Sequence, residues 1–253
     1  MQLKNLYWYF SSIIPKNKCE EIIEYGNSII NNNKKLRIDT RGVTFGDKHK
    51  QENKNSIPQF EKSNQQLLKE GISKEDVYVR DSEVAWLNDK WIYDLILPII
   101  DRANSEAKWN FEIDTQEQIQ FTTYNPGGFY SWHSDGGSDH YSRYKRYMFG
   151  VSKDPLKEDG SIPMGYTTSH NLVGKIRKLS LTLNLSDPNT YKGGNLLFDF
   201  GEHSENVRYH ECSNAREQGT GIVFPSFLPH CVTPLTEGKR YSLVLWTLGE
   251  PFK

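Results

Sequence analysis

Lys178-Leu-Ser-Leu-Thr-Leu-Asn-Leu-Ser186 places Leu179, Leu181, Leu183 and Leu185 on one side of an extended backbone and Ser180, Thr182, Asn184 and Ser186 on the other. Successive side chains of an extended chain point to opposite faces, so an unbroken period of two over nine residues predicts a strand with one face buried. The polar face either meets solvent, as is common in antiparallel sheets, or lines a cavity, and the pattern admits both. Gln118-Ile-Gln-Phe-Thr-Thr-Tyr124 repeats the pattern, with Ile119 and Phe121 opposite Gln120, Thr122 and Tyr124. Shorter runs at 195–200, 207–210, 219–224, 230–233 and 240–248 are separated by the turn signals Asp187-Pro-Asn, Gly193-Gly194, Gly201 and Glu237-Gly238.

Upstream the period is helical. Asn17-Lys-Cys-Glu20 reads as a capping box ahead of Ile22, Ile23, Ile29 and Ile30, which predicts a helix over about 18–30. Residues 31–59 are polar and carry Gly42, Gly46 and Pro58, as expected for a surface loop or lid, and a short helix is expected near Phe60, Leu67 and Leu68. With Asn88 as cap, Trp91, Leu95, Ile99, Ala103 and Ala107, flanked by Ile92, Ile96 and Ile100, form a broad apolar helical face. Pro98 removes one backbone hydrogen bond there and predicts a kink or a break. Helices followed by many short strands predict a mainly β fold with supporting α: a jelly roll, or double-stranded β-helix, backed by N-terminal helices. The expected organisation is one domain over 1–253. Residues 1–115 form its helical support with the lid-like loop, and 116–253 form its core with an insert at 140–178.

Composition narrows the function classes. The 253 residues carry 31 Lys plus Arg against 32 Asp plus Glu, which removes the electrostatic case for a dedicated binder of nucleic acid or acidic membrane. The longest apolar stretch, Leu95–Ile100, is too short to span a bilayer, and Met1-Gln-Leu-Lys-Asn-Leu-Tyr-Trp-Tyr9 does not read as a signal peptide, so a cytoplasmic location is expected. Cys19, Cys212 and Cys231 are odd in number and lack a Cys-x-x-Cys spacing, which predicts free thiols.

The chemistry concentrates in two stretches. In Phe121-Thr-Thr-Tyr-Asn-Pro-Gly-Gly-Phe-Tyr-Ser-Trp-His-Ser-Asp135, His133 and Asp135 are two apart and point the same way from an extended backbone. In Phe224-Pro-Ser-Phe-Leu-Pro-His-Cys-Val-Thr-Pro-Leu-Thr-Glu-Gly-Lys-Arg240, His230 is followed ten residues later by Arg240. Two imidazoles and one carboxylate form a facial set suited to Fe(II), leaving its other positions open. A guanidinium is the fixed fork that pairs with a carboxylate such as the far end of 2-oxoglutarate.

The span from Gln118 to Trp246 resembles the Fe(II)/2-oxoglutarate dioxygenases, most closely the prolyl 4-hydroxylase branch with its PKHD-type hydroxylases. Leu6-Tyr-Trp-Tyr9, Arg80-Asp-Ser-Glu-Val-Ala-Trp-Leu87 and Gly193-Gly-Asn-Leu196 extend the resemblance over about the whole chain, with the insert least matched and Asn195 where many members are acidic. The resemblance implies His133, Asp135 and His230 as iron ligands and Arg240 as partner of the distal 2-oxoglutarate carboxylate. It implies Tyr124 as a second donor to that carboxylate, Tyr130 and Trp246 as pocket walls, and Asn184 as a residue near the cosubstrate. Asp135 fills the position that related halogenases vacate for halide. The implied reaction uses Fe(II), 2-oxoglutarate and O2, with ascorbate as reductant. It couples decarboxylation to succinate and CO2 with C–H hydroxylation, of a prolyl residue in a peptide or protein or, alternatively, of a free amino acid or other small metabolite. A non-enzymatic jelly-roll binding module is the contrasting class.

Several features are assigned no chemistry. His49, His140, His170, His203 and His210 read as solvated, and Cys231 as a buried free thiol. The basic, aromatic-rich stretch 143–178 is either a substrate lid or a solvated insertion.

Overall fold

In the computed structural model, which describes residues 3–42, 44–45, 57–58, 77–136, 143–152, 156, 160, 162, 165–201 and 208–252, the alternating segment becomes β11 (Ile176–Asn184) in the middle of a seven-stranded sheet. Its order is β1 (Trp8–Phe10), β15 (Gly221–Pro225), β11, β18 (Arg240–Gly249), β7 (Ile119–Tyr124) and β5 (Glu83–Leu87), with β6 (Thr115–Gln116) beside β18. A second seven-stranded sheet runs β14 (Tyr209–Glu211), β13 (Leu196–Asp199), β16 (His230–Val232), β8 (Phe129–His133), β4 (Val77–Asp81) and β2 (Thr44–Phe45), with β3 (Ile57–Pro58) beside β4. Two small ladders complete the described strands, β12 (Tyr191–Gly193) with β17 (Leu235–Gly238) and β9 (Lys145–Arg146) with β10 (Tyr166–Thr167). The architecture is the expected mainly β jelly roll.

The two faces of the first sheet do different work. Its leucine face, Leu179, Leu181, Leu183, Leu243 and Leu245 together with Phe121, forms one core with Ile92, Ile96, Ile99 and Ile100 of α2 (Lys90–Glu106) and Ile22 and Ile30 of α1 (Lys16–Lys35). Gly26 of α1 lies so close to Phe121 that a Cβ there would sit 2.5 Å from the ring. The opposite face turns toward the second sheet: Ile222 and Phe224 pack on Leu196 and Phe198 across the interior. Ser180, Asn184, Gln120 and Thr122 are buried on this side, so the polar half of the alternating strands lines an interior and does not meet solvent.

Several expectations are corrected. α1 starts at Lys16 with Pro15 as its N-cap and no side-chain cap, so Asn17 lies inside the helix and the Asn17–Glu20 box does not form. The helix also runs five residues past 30, through Lys35, into the stretch read as a loop. Asp89, not Asn88, occupies the N-cap of α2, while Asn88 Oδ1 accepts from the Tyr93 hydroxyl. Pro98 leaves the helix unbroken. Residues 44–45 and 57–58 are strands on β4, so the lid-like region contributes to the second sheet. β4 and β5, separated only by Ser82, pass from one sheet to the other, the kind of bend by which strands switch layers in a sandwich. The expected helix near Phe60, Leu67 and Leu68 lies outside the described residues, as do His49, His140 and His203. All three cysteines are free and buried. No described helix is long and apolar enough to cross a membrane.

Candidate metal centre

His133 ends β8, His230 opens β16, and the two are register partners across an antiparallel pair. Asp135 follows two residues later in a turn that two contacts hold in place. The Gly136 amide donates to the Ser226 carbonyl (2.9 Å), and Arg177 Nη1 donates to the Asp135 carbonyl (3.1 Å). One ligand atom from each of His133, Asp135 and His230 lies within 4.8 Å of the others. Nε2 of His133 is 3.6 Å from Asp135 Oδ1, and Nε2 of His230 is 3.6 Å from Asp135 Oδ2. Both separations are longer than the roughly 2.7–3.2 Å of an N–H···O hydrogen bond, so the three groups face one another without bonding directly, as they would around a shared ion.

The protonation pattern suits the same role. Nδ1 of His133 donates to the Ser131 carbonyl (2.7 Å) and Nδ1 of His230 to the Leu228 carbonyl (2.9 Å). A carbonyl only accepts, so each Nδ1 carries the proton and each Nε2 presents its lone pair toward Asp135, the outer arrangement that orients metal-binding imidazoles. Burial, reinforced by the neighbouring His133 and opposed by Asp135, pushes His230 down to about 4, keeping it neutral near pH 7. Burial alone would raise the Asp135 carboxyl. The imidazoles of His230 and His133 and the guanidinium of Arg177 outweigh it and hold the group well below the usual carboxylate range.

The walls come from both sheets. The Tyr130 ring stacks on His133 at 3.5 Å between centroids, and the Arg80 guanidinium covers Tyr130 at 4.8 Å. Phe224 meets His230 edge-on at 4.7 Å. Trp246 is buried with no partner for its Nε1 among the described residues, faces Trp86 at 6.3 Å, and lies under Arg177 at 4.0 Å.

Beside this centre, Arg240 opens β18 opposite Tyr124, the last residue of β7. Its side chain is 3% exposed and makes no hydrogen bond or ion pair with a described residue, and its guanidinium stands 5.6 Å from the Tyr124 ring. Tyr124, Tyr191, Val232 and Leu235 form an apolar cluster there, with Tyr191 Oη buried and unpartnered among the described residues. Gly194, at φ +64°, approaches so closely that a Cβ would lie 3.1 Å from Arg240 Cδ. An isolated buried cation is costly, so an unpaired guanidinium beside orphaned hydroxyl is a place where an anionic oxygen ligand fits.

The structure thus brings His133, Asp135 and His230 together and sets Tyr130, Trp246, Tyr124 and Arg240 around them. Asn184 commits both donors of its amide to backbone carbonyls, of Ser186 (3.0 Å) and Arg216 (2.7 Å), while its Oδ1 is buried without a partner among the described residues. His210 is half-buried, hydrogen-bonded to Tyr7 (3.0 Å) and stacked on Phe200, not solvated. His170 is exposed against Arg146. Arg177, Arg80, Tyr191 and Glu117 are additions to the site. Arg177 was hidden in a run of charges, and the one signal for it was position, directly against the first residue of a strictly alternating strand.

A jelly roll with a two-histidine, one-carboxylate cluster between its sheets and a buried unpaired arginine nearby defines the iron-dependent oxygenase class. The sequence profile of the 2OG-Fe(II) oxygenase superfamily matches residues 119–248, about half of the chain, and the chain belongs to that superfamily of dioxygenases. Membership implies Fe(II), 2-oxoglutarate and O2. The PKHD-type hydroxylase YbiX of Shigella boydii is 38% identical over 85 residues, covering 32% of this chain and 34% of that protein, and YbiX of Escherichia coli gives the same figures. The chain therefore matches about a third of the length of these relatives. The 2OG complex of a viral collagen prolyl hydroxylase from Paramecium bursaria Chlorella virus-1 shares the fold at a TM-score of 0.51 and 15% identity, covering 97% of each chain. A prolyl hydroxylase from Trichoplax adhaerens, solved with a hypoxia inducible factor peptide fragment, gives 0.52 at 13% identity over 96% of this chain and 84% of that one.

Proposed function

We propose that this chain is an Fe(II)- and 2-oxoglutarate-dependent hydroxylase of prolyl residues in a peptide or protein. In this reading His133, Asp135 and His230 hold the iron, and Arg240 with Tyr124 receives the distal carboxylate of 2-oxoglutarate. The observation that carries it is the convergence of two Nε2 lone pairs and one carboxylate whose protonation is set by the fold. The peptide is favoured because the Trichoplax adhaerens relative was solved with one. When bound, iron, 2-oxoglutarate and O2 supply the oxidising power, by decarboxylation of 2-oxoglutarate to succinate and CO2 with one oxygen atom inserted into a substrate C–H bond.

The residues of the chain contribute position, charge and dryness. The Ser131 and Leu228 carbonyls keep both imidazoles in the ligating tautomer. Arg240 fixes one end of the cosubstrate by charge, and the buried ring of Trp246 with the Tyr130–His133 stack excludes water from the reacting side.

The test is succinate release under air with Fe(II), ascorbate and 2-oxoglutarate, comparing no substrate, a proline-rich peptide pool and free L-proline, with mass spectrometry for one added oxygen atom. Stimulation and oxygen insertion on peptides alone support the proposal. The same response to free proline alone replaces the peptide with a small metabolite, and succinate without stimulation by either removes proline from the reading.

A further inference from the structure

We propose that Arg177 is a positioning residue of the metal centre, which sets the Asp135 carboxylate by gripping its backbone and ties that grip to the wall of the pocket. This rests on the reading of His133, Asp135 and His230 as metal ligands.

The local fold accounts for the placement of Arg177. Strict alternation would send it to the same side as Leu179, toward the helices. The register between β11 and β18 shifts between Arg177 and Leu179, so that Arg177 pairs with Leu248 and Leu179 with Thr247. A bulge of this kind inserts one residue and re-aims the side chains around it. Arg177 consequently enters the interior, where its guanidinium lies 4.0 Å above the Trp246 ring.

Each face of that guanidinium has a task. Nε and Nη2 donate to the two oxygens of Glu117, both at 2.6 Å, in the forked geometry specific to arginine. Nη1, which Glu117 leaves untouched, donates to the Asp135 carbonyl. Glu117 lies between the neighbouring strands β6 and β7, with its amide donating to the Trp246 carbonyl at 2.9 Å, so the anchor is built into the sheet. Tyr144 of the insert is half-buried against the same pair, and burial with Glu117 pushes its hydroxyl up to about 12. The Asp135 turn is thereby held from the first sheet, while the two histidines it must meet belong to the second.

A lysine cannot reproduce this arrangement, since a point charge cannot hold two carboxylate oxygens and a carbonyl in one plane. Outer partners of metal ligands characteristically matter about 10- to 100-fold in metal affinity. The experiment compares wild type, Arg177→Lys, Arg177→Met and Glu117→Gln, with Co(II) as probe. It reads the Co(II) dissociation constant, the visible Co(II) spectrum and the melting temperature of the metal-free protein. Lys175→Met, which breaks an exposed ion pair with Asp114 and Glu250 on the same segment, is the control.

The expected result is a Co(II) dissociation constant raised about 10- to 100-fold in Arg177→Met, less in Arg177→Lys and Glu117→Gln, with an altered spectrum and no change in Lys175→Met. Constants and spectra like wild type in the Arg177 variants, whatever their melting temperatures, would overturn the positioning role and leave Arg177 a structural ion pair. If Arg177→Met does not fold, the lysine and Glu117→Gln variants decide in the same way. Failure of the wild type itself to bind Co(II) would instead remove the metal assignment, and the role of Arg177 with it.

Discussion

Arg240→Met keeps most of the aliphatic reach of the side chain and deletes its charge, and the structure predicts opposite consequences for stability and for ligand binding. Arg240 is 3% exposed with no carboxylate partner among the described residues. A largely buried cation without a carboxylate beside it is costly, and among the described residues the Tyr124 ring, 5.6 Å away, offsets only part of that cost. The variant is therefore expected to melt at or above the wild-type temperature without ligand. In the bound state the guanidinium would hold a buried carboxylate, and truncating one member of such a pair costs about 2–5 kcal/mol, or roughly 30-fold to a few thousand-fold in Kd. Ligand at 100 times Kd stabilises the wild type by about 2.7 kcal/mol. In a chain of this size that is about 5–10 °C. A variant bound 100-fold more weakly retains about 0.4 kcal/mol at the same concentration, or about 1 °C. The assay is calorimetric titration and thermal melting with 2-oxoglutarate on protein loaded with Co(II), which does not turn over. A variant that loses several degrees without ligand yet binds 2-oxoglutarate as the wild type does would refute the reasoning and make Arg240 a structural cation.

Three further predictions follow from the same geometry. His230→Ala removes a ligand without touching either sheet's ladder, so turnover should vanish while circular dichroism and the melting temperature stay within a few degrees of wild type; persistent activity would contradict its role. Gly194→Ala strains a backbone at φ +64°, by roughly 1–2 kcal/mol, and places a methyl 3.1 Å from Arg240 Cδ. It should raise KM for 2-oxoglutarate several-fold with a smaller effect on kcat, and an unchanged KM would show that Arg240 is not constrained there. Gly26→Val forces α1 away from the fully buried Phe121, costing about 1–3 kcal/mol as overpacking. Scanning calorimetry should show a fall of roughly 2–12 °C with KM for 2-oxoglutarate unaltered, and an unchanged melting temperature would mean the helix re-seats freely.

The parts of this molecule legible in its sequence are those where one physical rule acts alone. The leucine alternation of Lys178–Ser186 gave β11 and the face of it that joins the apolar core, because period two has one meaning in a sheet. The convergence of His133, Asp135 and His230 was legible because two imidazoles and a carboxylate at those spacings are a donor set that an ion can draw together. Where two rules compete, local reading fails. Asn17 and Asn88 are good caps by residue type, but the helices start at Pro15 and Asp89 with no side-chain cap at either, so capping preference does not set these starts. Asn184 sits on the polar face that lines the interior, yet its Nδ2 is given to local backbone carbonyls, a competition its position on the strand does not reveal. The strands at 44–45 and 57–58 are two residues long and acquire their identity only from β4.

Arg177 shows why the second sphere of such a site escapes sequence reasoning more completely than the first. Ligands must be particular residue types, so composition and spacing betray them. A residue that orients a ligand through its backbone can be of any type with a donor, and its location depends on a single shifted register. The division of the site between sheets makes this dependence strong. The two histidines come from β8 and β16, Arg240, Trp246 and Arg177 from β18 and β11, and the wedge of Phe198 and Phe224 that separates the sheets touches His230 directly. Interiors packed to this density do not deform continuously. In the proposed reading, the spacing between the metal and anion positions is therefore set by how the two sheets pack at the Phe198–Phe224 contact, while Gly26 and Phe121, on the helix-backed face of the first sheet, bear on stability and not on that spacing.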